Sequence, residues 1–397
     1  MKKAILYFSV LLILLLLSVS ALAEQPCPGT QKCGKEGCYW CTPMDIDDTE
    51  AVWKMLCSPL TVLDGNQKDQ YLVRAEPSKA SRAVADCTYA SQGVHVLETL
   101  SNGWTKIELR SSSFSDSSVK AYNQLVTGYV ESKYLKEVTP NNEKYALVID
   151  KMTQRIYIFV DGKLFSTLLC STGIPSKGKL YNETMSGDFI ICSPVGDFNS
   201  DNLVCEMGLR FNRGDILHQV PYIVRDDYID FDTCEKALGT RASHGCIRVQ
   251  RKPNAEGVNM TWLWNNRRMT SRLVIWEDSP GRSLALPANN STVYVNSAGG
   301  KTYHKYDTCT AVASRYLPLV PINYYDLLQD PYRGLTPCAT CVPLLRPETY
   351  RTLTENTSPE QIIYLETIDG AYYHQDPCCS LLDPEFWPLL PARITCL

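Results

Sequence analysis

The chain reads as a mainly β protein, and three features predict it. Between Leu60 and Val138 short apolar runs, Tyr71–Arg74, Val94–Leu97, Trp104–Ile107 and Gly128–Val130, are broken by polar turns, the pattern of a small all-β barrel. At Ala146–Asp150 the residues alternate, with Ala146, Val148 and Asp150 on one face and Leu147 and Ile149 on the other, which is the two-residue period of a strand. Ile156–Val160 then runs into Asp161-Gly162, a pair suited to the positive backbone angles of a type I′ turn, so the flanking strands pair antiparallel. Met260–Met269 reads as a short helix and Arg272–Trp276 as a returning strand. His95 alternates with apolar neighbours on its strand and is read as structural.

The chain opens with Lys2 and Lys3, an apolar run from Ala4 to Leu17, and Ala21-Leu22-Ala23 as a small-residue cleavage site. Residues 1–23 therefore read as a secretory signal peptide, with an uncleaved membrane anchor as the other reading. The rest is long enough for several modest domains. With 39 Lys and Arg against 43 Asp and Glu, the net charge of −4 is spread evenly, so no basic patch points to nucleic acid. An exported chain with 17 Cys is expected to form disulfides, but the odd count leaves at least one thiol free or paired between chains.

Cys246 is the candidate for that thiol. It lies in Ser243-His244-Gly245-Cys246-Ile247-Arg248, where a thiol stands beside imidazole in a turn loosened by Gly245. The thiolate is the reactive form, so a nucleophilic Cys needs a base within reach. The chain has only five His, and His218, in Leu217-His218-Gln219-Val220-Pro221-Tyr222, is the second one of interest.

His218 together with the Ser243–Arg248 motif resembles the signature of the L,D-transpeptidases, the YkuD-type catalytic domain. Tyr145–Gly173 is similar to the opening strands of that domain, and Gly187-Asp188-Phe189 to its Gly-x-Phe turn, so the resemblance covers residues 143–277. Two departures stand out. Thr184-Met185-Ser186 replaces the usual Thr-Pro before the Gly-x-Phe turn, and 24 residues separate His218 from Ser243, which implies an enlarged loop at Asp226–Ala242 over the site.

The resemblance implies a β-sandwich catalytic domain acting on peptidoglycan stem peptides without a catalytic cofactor. It casts Cys246 as nucleophile and His218 as proton acceptor and donor, with the Gln219 carbonyl orienting the ring. His244 shapes the pocket or stabilises the oxyanion, and the amides of Gly245 and Cys246 contribute to the oxyanion hole. Arg248, Ser243 and Tyr222 are the substrate-side candidates; Arg248 either holds a stem carboxylate or braces the loop, and Ser243 either meets substrate or holds the turn. Resolution of the acyl group by an amine gives a transpeptidase and by water an L,D-carboxypeptidase. A cell-wall binding protein with a vestigial thiol is the non-enzymatic alternative.

The remaining segments are accessory. Residues 24–57 form a Cys-rich arm with Cys27, Cys33, Cys38, Cys41 and Cys57, either a zinc knuckle or a disulfide-stapled segment. Residues 60–138 resemble a bacterial SH3 domain in LVRAEPS, GWTKIEL and GYVESKYL, which implies wall binding or spacing. After a linker at 278–291, residues 292–345 and 361–397 repeat one another: Tyr303-His304 with Cys309 against Tyr373-His374 with Cys379, each followed by an apolar-proline phrase. The first copy adds Cys338-x2-Cys341. His304, Cys309, Cys338 and Cys341 thus form a possible structural zinc set, similar to Ada-type metal-binding modules, with a Cys338–Cys341 disulfide as the competing reading. The second copy lacks the Cys-x2-Cys and reads as a metal-free copy stabilised by Cys378 or Cys379 pairing with Cys396.

Overall fold

The computed structural model describes residues 29–64, 71–113, 117–119, 121–174, 179–277, 282–357, 362–365, 372–376, 378–379, 382 and 390–393. The signal segment, Cys27 and Cys396 lie outside the described residues. The protein is mainly β.

After an extended arm and helix α1 (Thr49–Cys57) comes a seven-stranded antiparallel sheet: β1 (Leu60–Leu63), β2 (Tyr71–Arg74), β3 (Ala83–Cys87), β4 (Gly93–Thr99), β5 (Trp104–Arg110), β6 (Leu125–Glu131) and β7 (Leu135–Val138). Its order is β3-β2-β6-β5-β4-β1-β7. The alternation read from the sequence is its mechanism: Val126 and Val130 of β6 point inward to join Val73, Ala85, Ile107 and Leu109 in one core. Gly128 is the position where β2 crosses β6 closely, since a Cβ there would lie 2.7 Å from the Arg74 carbonyl oxygen.

The next segment builds β8 (Ala146–Asp150), β9 (Arg155–Val160), β10 (Lys163–Ser171), β11 (Gly187–Ile190), β12 (Ser193–Ser200), β13 (Leu203–Arg210) and β14 (Ile216–Gln219). A small ribbon of β15 (Ile223–Val224) and β16 (Ile229–Asp230), helix α2 (Asp232–Glu235), β17 (Ile247–Val249), helix α3 (Met260–Asn265) and β18 (Arg272–Trp276) follow. Nine of these strands form one sheet in the order β11-β18-β8-β9-β10-β17-β14-β13-β12. Asp161 (φ 47°) and Gly162 (φ 81°) make the tight turn that pairs Val160 with Lys163.

Strand β8 is buried along its whole length. Leu147 and Ile149 enter the main core with Ile156, Ile158, Phe189, Leu217 and Ile247, while Ala146 and Val148 pack under Val52, Met55 and Leu56 of α1. The N-terminal arm therefore roofs the outer face of the nine-stranded sheet. A buried ion pair fastens the same seam: Arg272 holds Asp188 through two bonds of 2.5 and 2.7 Å and donates to the Ser58 carbonyl at 2.6 Å.

Helix α3 ends at Asn265, short of the Met269 expected from the sequence. Asn259 caps its start by accepting from the Trp262 amide, and the side chains of Asn266 and Arg267 take the Trp262 and Trp264 carbonyls that a longer helix would have used.

The C-terminal repeat is a structural repeat. Strands β19 (Thr292–Val295), β20 (Thr302–His304), β21 (Val320–Asn323) and β22 (Thr336–Pro337) form the first unit. A ten-residue helix, α4 (Pro347–Asn356), separates it from β23 (Ile362–Leu365), β24 (Tyr373–His374) and β25 (Leu390–Arg393). Tyr294 pairs with both His304 and Pro321, and Tyr364 pairs with both His374 and Pro391, so the registers coincide. Cys378 is disulfide-bonded. The first unit docks on the nine-stranded domain through Arg155, which donates to the Pro343 carbonyl at 2.6 Å, and through the Ala255 amide, which donates to the Thr340 carbonyl at 2.9 Å.

Candidate active site

The site rests on one parallel pairing. β14 carries His218 and β17 follows directly on Cys246, and their register sets Leu217 beside Ile247 and His218 beside Arg248. Cys246 consequently sits level with Ile216, whose backbone N–H bonds to the thiol.

The turn before Cys246 is fixed from three sides. Ser243 donates its hydroxyl to the Cys246 carbonyl at 2.5 Å, which engages it in the turn. Thr184 accepts from the Gly173 amide at 2.8 Å and donates to the Gly245 carbonyl at 2.7 Å, stapling the two glycines together. Gly245 has φ +116°, and a Cβ there would collide with the Asp215 carboxylate, so both backbone angle and space demand glycine.

His218 is buried, with Nδ1 2.6 Å from the Gln219 carbonyl oxygen and the ring edge-on to Phe198 at 5.4 Å. An Nδ1–H bonded to that carbonyl leaves Nε2 with the lone pair. Burial lowers the His218 pKa to about 4, and the Arg248 charge pushes the same way. Burial and the nearby Asp215 raise the Cys246 thiol to about 12, against the pull of the Ile216 amide and Arg248. At neutral pH both groups therefore rest uncharged, Cys246 as the thiol and His218 as the neutral imidazole.

Sequence reading missed the acid beneath the thiol. Asp215 is buried, accepts from the Asn212 side chain at 3.1 Å and from the Tyr122 hydroxyl at 3.3 Å, and has its pKa raised by burial to about 7. Tyr122, which precedes β6, also donates to the Glu183 carbonyl at 2.8 Å. Glu183 in turn pairs with the buried Lys151 at 2.5 Å and with Arg241 at 3.7 Å. Asp215 stands three positions before His218 in the sequence, yet only the fold reveals that it faces Gly245.

Of the other candidates, His244 is exposed and Arg248 is half-buried, with its charge acting on both His218 and Cys246. Tyr222 is half-buried, its hydroxyl 3.4 Å from Glu206, which also accepts from the Gln219 amide at 2.7 Å. The enlarged 226–242 segment carries β16, which pairs with β15 just before it, and α2, and it is anchored where the Gly239 amide donates to the Cys170 carbonyl and Ser171 donates to the Ala237 carbonyl.

Away from this site, the donor atoms of His304, Cys309, Cys338 and Cys341 lie within 4.8 Å of one another, all on buried residues. The Cys309–Cys338 sulfurs are 3.9 Å apart and His304 Nδ1 is 3.8 Å from the Cys341 sulfur. Cys338 and Cys341 are free thiols rather than a bridge. Metal–sulfur bonds of about 2.3 Å in a tetrahedron imply edges of about 3.8 Å, so the set fits zinc.

The His218 burial has a thermodynamic consequence. The unfolded imidazole takes a proton near pH 6.5, while the folded one refuses it until about pH 4. Stability from this group is complete above pH 6.5 and falls as pH drops, by about 3 kcal/mol once the folded pKa is passed. Asp215, with its raised pKa, acts in the opposite sense between its unfolded value and about 7. The stability difference between wild type and His218→Gln isolates the first effect. In urea titrations it should shift against wild type by about 3 kcal/mol from pH 7 to pH 4; a pH-independent difference would show that the ring titrates normally.

The description L,D-transpeptidase catalytic domain (YkuD) matches residues 144–275. Among solved structures, the chain is similar to an L,D-transpeptidase from Stackebrandtia nassauensis (19% identity, 36% of this chain and 61% of that one, TM-score 0.25). It is also similar to one from Xylanimonas cellulosilytica (22%, 34% and 62%, TM-score 0.25) and one from Mycobacterium smegmatis (12%, 55% and 99%, TM-score 0.28). It thus spans about three fifths of the first two structures' length. No curated protein matches the chain. Residues 144–275 are an L,D-transpeptidase catalytic domain of the YkuD family.

Proposed function

We propose that the protein is an exported cell-wall L,D-transpeptidase using Cys246 as nucleophile and His218 as base. The observation that supports this reading is the β14–β17 pairing, which sets Cys246 level with Ile216, two positions before the buried His218 whose ring is held by the Gln219 carbonyl. As the thiol adds to the carbonyl of an L-centre in a donor stem peptide, its proton passes to His218. That proton then goes to the leaving amine of the terminal D-residue, and a thioester remains on Cys246. A second stem's amine attacks the thioester, gives up its proton through His218, and regenerates the thiol. The positive charge of Arg248 favours the developing thiolate and suits a stem carboxylate. The amides of Gly245 and Cys246 are the proposed oxyanion donors, with exposed His244 at the rim.

In this reading the seven-stranded sheet is an SH3-like module that binds wall peptide or spaces the catalytic domain. The set His304, Cys309, Cys338 and Cys341 holds a structural zinc ion, with no cofactor needed for the acyl transfer.

Incubation with tetrapeptide muropeptides, followed by mass spectrometry, tests the proposal. Cross-linked dimers are the expected product. Loss of the terminal D-residue without dimers would make the protein an L,D-carboxypeptidase, and unchanged substrate would overturn the enzymatic reading.

A further inference from the structure

The N-terminal arm and the first sheet build a second cluster of the same composition. Cys33, Cys38 and Cys41 come from the arm, and the fourth member is His95 of β4, which the sequence alone explains as an inward-facing strand residue. All four donor atoms lie within 4.8 Å of one another. The Cys33 and Cys41 sulfurs are 3.4 Å apart, far beyond the roughly 2.05 Å of a disulfide, and His95 Nε2 is 3.7 Å from the Cys41 sulfur. The three cysteines are free thiols, so the arm is not stapled by bridges among them.

The surroundings are those of a metal centre. Gly34 (φ 69°) and Gly37 (φ 71°) turn the chain so that Cys33 and Cys38 face Cys41, and the Cys33 amide donates to the Cys41 sulfur at 3.3 Å. On the other side of the imidazole, His95 Nδ1 is 3.4 Å from Glu108, a buried carboxylate that also accepts from the Gly29 amide at 2.5 Å. A carboxylate on one ring nitrogen fixes the proton there and directs the other nitrogen's lone pair at a metal. Trp40 lies parallel to the imidazole with ring centres 5.9 Å apart, covering its face.

We propose that Cys33, Cys38, Cys41 and His95 bind a structural zinc ion, with Glu108 positioning His95, and that this ion clamps the arm to the first sheet. Three thiolates and one imidazole suit a closed tetrahedral site. The clamp reaches the catalytic domain too, because Tyr39, Met44 and Ile46 of the arm and α1 behind them pack on the outer face of β8. The proposal stands apart from the acyl-transfer reading and from the C-terminal zinc set.

Metal analysis of the full chain, purified reduced in zinc and desalted, tests it. A Cys309→Ser chain, which lacks only the C-terminal set, should retain one zinc per chain, and His95→Gln should lose one zinc relative to wild type. Glu108→Gln should keep the ion but lose it to a competing chelator at about 10–100-fold lower chelator concentration. Should His95→Gln fail to fold, the Cys309→Ser stoichiometry decides alone. No zinc in Cys309→Ser, or a disulfide among Cys33, Cys38 and Cys41 in zinc-supplied protein taken from an oxidising compartment, would overturn the proposal.

Discussion

A Cys246→Ala chain is expected to lose acyl transfer by at least about 10⁴-fold while unfolding at the wild-type temperature. Among the described residues, the polar side chains around the turn are already engaged. Asp215 is committed to Asn212 and Tyr122, the Ser243 hydroxyl to the Cys246 carbonyl, and Thr184 to the two glycines. The side chain removed is small and only partly buried, with one amide bond from Ile216, so the fold loses little. Turnover of muropeptides and thermal denaturation of the same preparation measure the two halves. Retained turnover in Cys246→Ala would place the chemistry elsewhere.

Asp188→Ala should destabilise the protein by about 3–5 kcal/mol, the largest stability effect expected of a single side chain here. The Arg272–Asp188 pair is almost fully buried, each side chain 2% exposed, and removal of the acid leaves an uncompensated guanidinium. Burial alone raises the Asp188 pKa, and Arg272 opposes that shift. The first sheet closes directly over the pair, since a Cβ on Gly93 would lie 2.7 Å from an Asp188 oxygen, so water cannot reach the site without opening the seam. Replacing both partners, as Asp188→Leu with Arg272→Met, should recover much of the loss, because two apolar groups leave no charge stranded. Urea unfolding measures both; a single variant within about 1 kcal/mol of wild type would mean that the seam is hydrated.

How much of this was legible in the sequence depended on range. Period-two alternation and the Asp161-Gly162 turn are local signals, and they identified β8, β9 and the β9–β10 hairpin. The Ser243–Arg248 motif drew attention to the right turn because its residue types are rare together. Asp215 and Tyr122 carried no such mark: an Asp after Arg-Gly and a Tyr before Asn-Gln look like loop residues until the fold brings them together beside Gly245. His95 was explained too easily, since an inward position on a strand accounts for any buried residue and hides the cysteines more than fifty positions earlier. The alternation of β8 showed two faces but not that α1 would cover the second one. Helix α3 stopped early because Asn266 and Arg267 supply side-chain donors to its last carbonyls, a choice that apolar spacing does not record. Helix α4 went unread, its sequence too polar to show an apolar stripe.

The central claim is that the acyl group is carried by Cys246, and trapping the intermediate tests it most directly. The protein should be mixed with a donor tetrapeptide muropeptide in the absence of an acceptor, quenched in acid, and read by intact-mass and peptide mass spectrometry. The account predicts an adduct equal to the donor lacking its terminal D-residue and one water, confined to the peptide containing Cys246 and removed by hydroxylamine. An adduct on another residue, or donor cleavage that proceeds undiminished in the Cys246→Ala chain, would contradict it.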